Sequence, residues 1–216
     1  MKTSRIILCL ISFLVITTSY GQSQITEKET GWGGSQELKL GIGIFDYDEP
    51  GLKYESIPCI EVGYMYIAKP NGSPFYVELG ANAYMAYGKF FEDDVFINDV
   101  AHELSARMSI VSIKIPFNFA CRIRINDKNS IDPYVGVYQR INLYGKAKYR
   151  TPDGTIKEDI FDDAIKANRH QAGVNCGVKF KFKSWSLGVN AEYDFLDFCR
   201  EGGRAETYSL LFGINL

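Results

Sequence analysis

Apolar side chains occupy every second position over most of this chain, the period of a strand whose two faces meet different surroundings. The longest run sets Val111, Ile113, Ile115, Phe117, Phe119, Cys121, Ile123 and Ile125 against Ser112, Lys114, Pro116, Asn118, Ala120, Arg122 and Arg124. Earlier, Phe75, Val77, Leu79, Ala81, Ala83, Met85 and Tyr87 oppose Tyr76, Glu78, Gly80, Asn82 and Tyr84. Later, Ala172 to Phe182 and Leu187 to Phe195 repeat the pattern, with Asn175, Lys179 and Lys181 on one polar face and Asn190, Glu192 and Asp194 on the other. Shorter runs hold Leu38, Leu40, Ile42 and Ile44; Ile60, Val62, Tyr64 and Tyr66; and Val135, Val137, Ile141 and Leu143. The chain ends inside an eighth such run, where Tyr208, Leu210, Phe212, Ile214 and Leu216 alternate with Thr207, Ser209, Gly213 and Asn215.

The segments between these runs alternate in length. Asp46 to Ser56, Gly88 to Ser105, Lys146 to Arg169 and Asp197 to Glu206 are long; Ala68 to Ser73, Asn126 to Ser130 and the pair Lys183-Ser184 are short. Short turns at one end, long loops at the other and a terminal strand free to pair with the first predict an all-β fold. Its expected form is an eight-stranded antiparallel up-and-down transmembrane β-barrel with short periplasmic turns and long extracellular loops. Thr151-Pro152-Asp153-Gly154, inside the third long loop, is a turn signal that predicts an extension of strands five and six as a hairpin.

The N-terminus supports export. Lys2 and Arg5 precede the apolar run Ile6 to Ile16, too short for a membrane-spanning helix, so residues 1–21 are expected to be a signal peptide. Residues 22–35 then form a short periplasmic segment and 36–216 the barrel domain. Loss of Lys2 and Arg5 takes the formal charge from −2 to −4, an acidic balance that argues against nucleic-acid binding. A mean hydropathy of −0.13 does not argue against a membrane, because a barrel strand offers only alternate residues to lipid.

Two features predict the apolar face outside. Aromatics gather at its ends, with Tyr64, Tyr66, Phe75, Phe180, Phe182 and Trp185 toward the short turns and Tyr87, Phe195 and Tyr208 toward the long loops. Such girdles belong at membrane interfaces. The opposite face mixes glycine with both signs of charge: Glu61, Glu78, Glu192 and Asp194 against Lys114, Arg122, Arg124, Arg140, Lys179 and Lys181. In a lumen barely wide enough for its own side chains these charges must neutralise one another, so a structural ladder in a filled tube is expected, not a diffusion pore. The alternative orientation is a soluble, lipocalin-like secreted barrel with an apolar cavity. Asp48, Glu49, Glu92, Asp93, Asp94, Asp99, Glu103, Glu158, Asp159, Asp162 and Asp163 all fall in the long loops and predict an acidic outer rim.

On the export signal, the loop alternation and the terminal Thr207-Tyr208-Ser209-Leu210-Leu211-Phe212-Gly213-Ile214-Asn215-Leu216 strand, the chain resembles the small eight-stranded outer-membrane barrels typified by the OmpA membrane domain. More closely it is similar to the Bacteroidota-type outer-membrane β-barrel domain families, over about Gln36 to Leu216. The resemblance implies a monomer in the outer membrane of a Gram-negative cell, in contact with its lipid. It also implies recognition of the last strand by the barrel-assembly machinery, although that strand ends on Leu216 where many relatives carry an aromatic.

Because some small barrels modify lipid A, the two histidines are the candidates for chemistry: His102, with Ser105 close by, and His170 at the mouth of strand six. Their spacing matches no acyl-hydrolase motif, and a structural, adhesive or ligand-binding role through the loops is the expectation. Cys59, Cys121, Cys176 and Cys199 have no zinc spacing. Cys121 and Cys176 are expected on the lipid face, and a Cys59–Cys199 bridge would join strands that are not neighbours. Gly31-Trp32-Gly33-Gly34 precedes a strand and lacks the helix of a phosphate-binding loop, so no cofactor or metal is implied.

Overall fold

The computed structural model describes residues 32–48, 55–97, 100–151, 154–162, 166–198 and 203–216. The expected signal peptide and Cys199 lie outside the described residues. Ten strands form one sheet: β1 Trp32–Asp48, β2 Ile57–Pro70, β3 Phe75–Ile97, β4 Val100–Cys121, β5 Ile123–Arg124, β6 Ser130–Thr151, β7 Gly154–Asp159, β8 His170–Lys181, β9 Trp185–Asp194 and β10 Arg204–Asn215. Eight of them make an antiparallel ring in which each strand pairs with the next, and β1 closes on β10 from Glu37↔Asn215 to Asp48↔Arg204. β5 is a short continuation of the β4 path, and β7 is added outside the ring on β6. Closure removes every edge within the membrane-depth region, which a strand in hydrocarbon requires.

Turn chemistry fixes the closed end. Ser73 donates its amide to Pro70 O at 3.2 Å around Gly72, whose φ of 72° suits glycine. The Lys183-Ser184 hairpin is closed by the Phe182 amide on Trp185 O at 2.8 Å. Trp185 stacks on Phe182 with ring centroids 3.9 Å apart, so the turn-side girdle begins at this hairpin.

The open end departs from the expected loops. β3 and β4 stay paired past the barrel rim as far as Ile97↔Val100, where Gly88 to Ser105 was expected as loop. The acidic cluster Glu92-Asp93-Asp94 suggests a loop, yet Val95, Phe96 and Ile97 follow it and are strong strand formers. β6 continues to Thr151 and turns back into β7, with Thr151↔Gly154 at the predicted turn. Together β3, β4, β6 and β7 form a four-stranded sheet standing above one side of the ring.

The pattern-based parity holds through the membrane region and meets two irregularities. A bulge opposite Val111 and Ser112 places Leu143 as an extra residue, so Leu143 and Tyr144 are both exposed. The fifteen-residue run from Val111 to Ile125 is broken at Arg122, where β4 gives way to β5 and the Arg122 amide donates to Pro74 O at 2.7 Å. Cys121 keeps the expected outward face, paired with Phe75 and two residues from Phe119, whose rings stack at 5.6 Å, and is fully covered there.

Candidate functional site

Each strand delivers its alternate residues to one of two surfaces, and the structure assigns them sharply. Leu40, Ile42, Val62, Leu79, Phe117, Val189, Leu210 and Phe212 are exposed on the outside, while Glu37, Glu78, Asp132, Arg140, Gln171 and Asp194 are at most 1 % exposed inside. A water-soluble barrel would have the reverse polarity, because exposing this much apolar surface to water is unfavourable by about 25 cal/mol per Å². From Phe75 to Tyr87 the outward face of β3 carries no charge, and thirteen residues tilted about 40° cover about 30 Å of height, the thickness of a hydrocarbon core.

Inside, the ions form connected groups. Lys114 from β4 lies between Glu61 of β2 and Glu192 of β9, 2.5 Å from the latter, and Lys39 of β1 reaches Glu61 at 2.8 Å. Lys179 of β8 binds Glu78 of β3 across the tube at 2.7 Å, and Lys181 reaches Glu37 of β1 at 3.1 Å. Arg140 of β6 pairs with Asp194 of β9 at 2.5 Å and donates through Nε to Gln171 at 2.8 Å. Lys114–Glu192, Lys179–Glu78 and Lys181–Glu37 join strands that are not neighbours, so these side chains span the lumen. Each carboxylate of the ladder touches at least one cation, the condition under which buried charge is tolerated.

Of the charges the sequence pattern selected, Glu61, Glu78, Lys114, Arg140, Lys179, Lys181, Glu192 and Asp194 are buried in this network. Arg122 is half-buried at the turn-side mouth, 3.1 Å from Asp132 and with its guanidinium 5.1 Å from the Tyr76 ring. Arg124 is exposed on β5 at the mouth, where its pairing with Ser130, itself opposite Lys181, sets it on the inward face. With Arg122, Lys128, Lys181 and Lys183 it lines a basic cavity of about 520 Å³ at that mouth.

Sequence reasoning missed Glu37, Lys39 and Asp132, although their strand positions have the same parity as the chosen ladder. It set Tyr76 and Tyr84 on the inward face and missed Tyr134 and Tyr138. Tyr76 donates to Asp132 at 2.7 Å, Tyr134 to Asn190 at 2.8 Å, and Tyr138 to Asp194. Glycine makes room for these rings: a Cβ at Gly177 would strike the Tyr134 hydroxyl and Val189 O, and one at Gly173 would strike Tyr138.

The outer half of the lumen is different again. Phe45, Ile57, Cys59, Tyr84, Ala86, Met108, Ile110, Ala147 and Ala205 point inward and pack with Ile160, Ala167 and Phe198 from the connections above. The returning segments are pinned by main-chain bonds, Ala167 N to Ile160 O at 2.8 Å and Asn168 N to Phe198 O at 2.7 Å. Phe198 meets Phe45 and Tyr47 edge-on at 5.8 and 5.3 Å. Cys59 thus belongs to an apolar stopper, and Cys59 and Cys121 are free thiols.

The candidate chemistry is dispersed. Ser105 pairs with Arg150, and His170, exposed at the start of β8, pairs with Ile141. Arg150 and Ile141 are nine residues apart on β6, about 30 Å at the rise of a strand, so Ser105 and His170 cannot share a substrate atom. The backbone of His102 pairs with Val95 on the projecting sheet.

A closed antiparallel ring with an oily exterior, aromatic girdles and an ion-paired interior is a transmembrane β-barrel of the small, filled kind. The sequence matches no protein-family profile and no curated protein. Among solved structures, the chain is similar in fold to Ail, the attachment invasion locus protein of Yersinia pestis, at 17 % identity over 87 % of this chain and 100 % of that one, with a TM-score of 0.42. It is likewise similar to Neisserial surface protein A, at 10 % identity over 85 % and 98 % of the two chains and a TM-score of 0.45. A third likeness is to the outer membrane enzyme PagL, at 14 % identity over 82 % and 98 % and a TM-score of 0.44. These are likenesses of chain path, and the class rests on the ring and its polarity.

Proposed function

We propose that this protein is a monomeric outer-membrane barrel whose interior is structural and whose work is done by the sheet it holds outside the cell, as an adhesive or ligand-binding surface. The observation that carries this reading is the union of a lumen filled along its length with a four-stranded sheet continued beyond the outer girdle. A filled tube conducts nothing, whereas strands carried rigidly out of a barrel form a platform whose tip can meet a partner. Lipid A modification is the weaker alternative, since Ser105 and His170 are far apart on the same flank.

The test removes the β3–β4 half of the platform, with its tip, and keeps the ring. Replacing residues 90–106 by Asn-Gly joins Lys89 to its partner Arg107 through a two-residue hairpin. The shortened protein is expected to retain the gel shift between unboiled and boiled samples, while expressing cells lose retention on surfaces coated with extracellular-matrix proteins. Equal retention at equal surface abundance would remove the loop role. Planar-bilayer recording of the intact protein is expected to show no steady current, and a persistent open level would remove the filled lumen.

A further inference from the structure

The outward face of the projecting sheet carries a feature that an isolated sheet disfavours. Lys89 of β3 pairs directly with Arg107 of β4, Arg107 with Lys148 of β6, and Lys148 with Lys157 of β7. Directly paired residues share a face with Cβ atoms about 5 Å apart, and like charges so placed repel. Arg107, Lys148 and Lys157 are exposed, and among the described residues none of the three forms an ion pair. Exposed Lys146 and Arg150 flank the row on the same face of β6. The row below shows the ordinary solution, Lys146 opposite Asp159, and the row above sets Glu92 opposite Ser105, the partner of Arg150. The basic row thus lies beneath the positions Glu92, Asp94 and Glu103 of the expected acidic rim.

Direction and height decide what meets this row. Ala106, Met108 and Ala147 are buried inside, so Arg107 and Lys148 project outward, on the side where lipid lies lower down. Lys89 is two residues above Tyr87 and Lys146 two above Tyr144, both exposed girdle tyrosines; the Lys146 ammonium lies 5.6 Å from the Tyr144 ring. Two residues of strand climb about 7 Å, the depth of the headgroup layer above the hydrocarbon core.

The geometry points to a docking row for the phosphate groups of outer-leaflet lipid. Cations at strand spacing supply the counter-charge to a line of lipid phosphates, and those phosphates relieve the repulsion among Arg107, Lys148 and Lys157. The row anchors one flank of the barrel to headgroups and tilts the projecting sheet toward the membrane surface. This inference rests on the membrane-spanning reading and not on the adhesive one.

The test uses full-length mature protein in neutral detergent and the variant Arg107→Gln/Lys148→Gln/Lys157→Gln, which removes repulsion and leaves the ring's interior untouched. Micelles are doped with diphosphorylated lipid A, with the same lipid after dephosphorylation, or with inorganic phosphate in the buffer. Native mass spectrometry is expected to show diphosphorylated lipid A retained by the intact protein and at least tenfold less by the triple variant. Thermal unfolding is expected to rise with that lipid for the intact protein only. Equal retention by the variant, equal retention of dephosphorylated lipid, or competition by millimolar phosphate alone would each overturn the proposal. Gel shift in the same samples separates these outcomes from a barrel that never folded, which would count against the membrane reading instead.

Discussion

Lys114 and Ile110 stand four residues apart on the same inward face of β4, yet Lys114 is held by Glu61 and Glu192 while Ile110 packs in the cluster of Phe45, Met108 and Phe198. The tube is thus filled by ions toward its closed end and by hydrocarbon toward its open end. The difference follows from what is available at each level. Deep in the ring only strand side chains reach the axis, and long lysines and glutamates from opposite walls can meet there. Near the mouth, connections fold back and bring Ile160, Ala167 and Phe198 with them, so apolar packing becomes possible where the strands alone would leave a gap.

The sharpest way to break this comparison is to remove one ion from the deep half. Lys114→Met leaves Glu61 and Glu192 buried with like charge, and the loss is expected at about 3–5 kcal/mol. Lys39 remains on Glu61 at 2.8 Å, so Glu192 is the carboxylate more fully abandoned. Adding Glu192→Gln, with Glu61 still paired to Lys39, should restore most of the lost stability, measured as the urea midpoint of unfolding in micelles. If the single variant unfolds at the wild-type midpoint, the ladder is water-screened and does not hold the ring together.

The open half should respond more weakly and more locally. Ile160→Ala deletes buried methylenes from a stopper whose connection can partly collapse, so about 2 kcal/mol is expected, at the low end for such changes. Hydrogen exchange should quicken at the Ala167 and Asn168 amides while β8 and β9 stay protected, and bilayers should still pass no current because the ladder below is intact. Global unfolding at the same denaturant concentration as Lys114→Met would mean that the two halves are one cooperative unit.

The two halves also differ in how far the sequence discloses them. Strand alternation is local, so the inward lysines and glutamates of β2, β3, β4, β6, β8 and β9 can be selected from parity alone. The same rule applied to β1 would have found Glu37 and Lys39, which four apolar residues overshadowed. Parity fails where the backbone departs from period two, as at the bulge that leaves Leu143 and Tyr144 both exposed. The apolar stopper is not legible at all, because it depends on which loop residues return into the mouth, a long-range fact that neither spacing nor composition encodes. The basic row is intermediate: its residues are plain in the sequence, but only cross-strand register shows that they are neighbours.

The gentlest probe asks whether the tyrosines of the deep half hold position through their rings or their hydroxyls. Tyr134 is 2 % exposed, packs with Tyr76, Ala120 and Leu211, and donates to Asn190, whose amide in turn donates to Glu192 at 2.8 Å. Tyr134→Phe keeps the packing and removes one neutral hydrogen bond, so about 1 kcal/mol is expected. Tyr76→Phe removes a bond to the charged Asp132, and should cost more, about 2 kcal/mol, unless Ser130 at 2.6 Å and Arg122 at 3.1 Å already satisfy that carboxylate. Micelle unfolding of the two variants side by side decides the matter: a larger loss for Tyr76 makes the deep half electrostatic down to its hydroxyls, whereas equal and negligible losses would make the rings spacers, with the fit of Tyr134 against Gly177 being what the lumen requires.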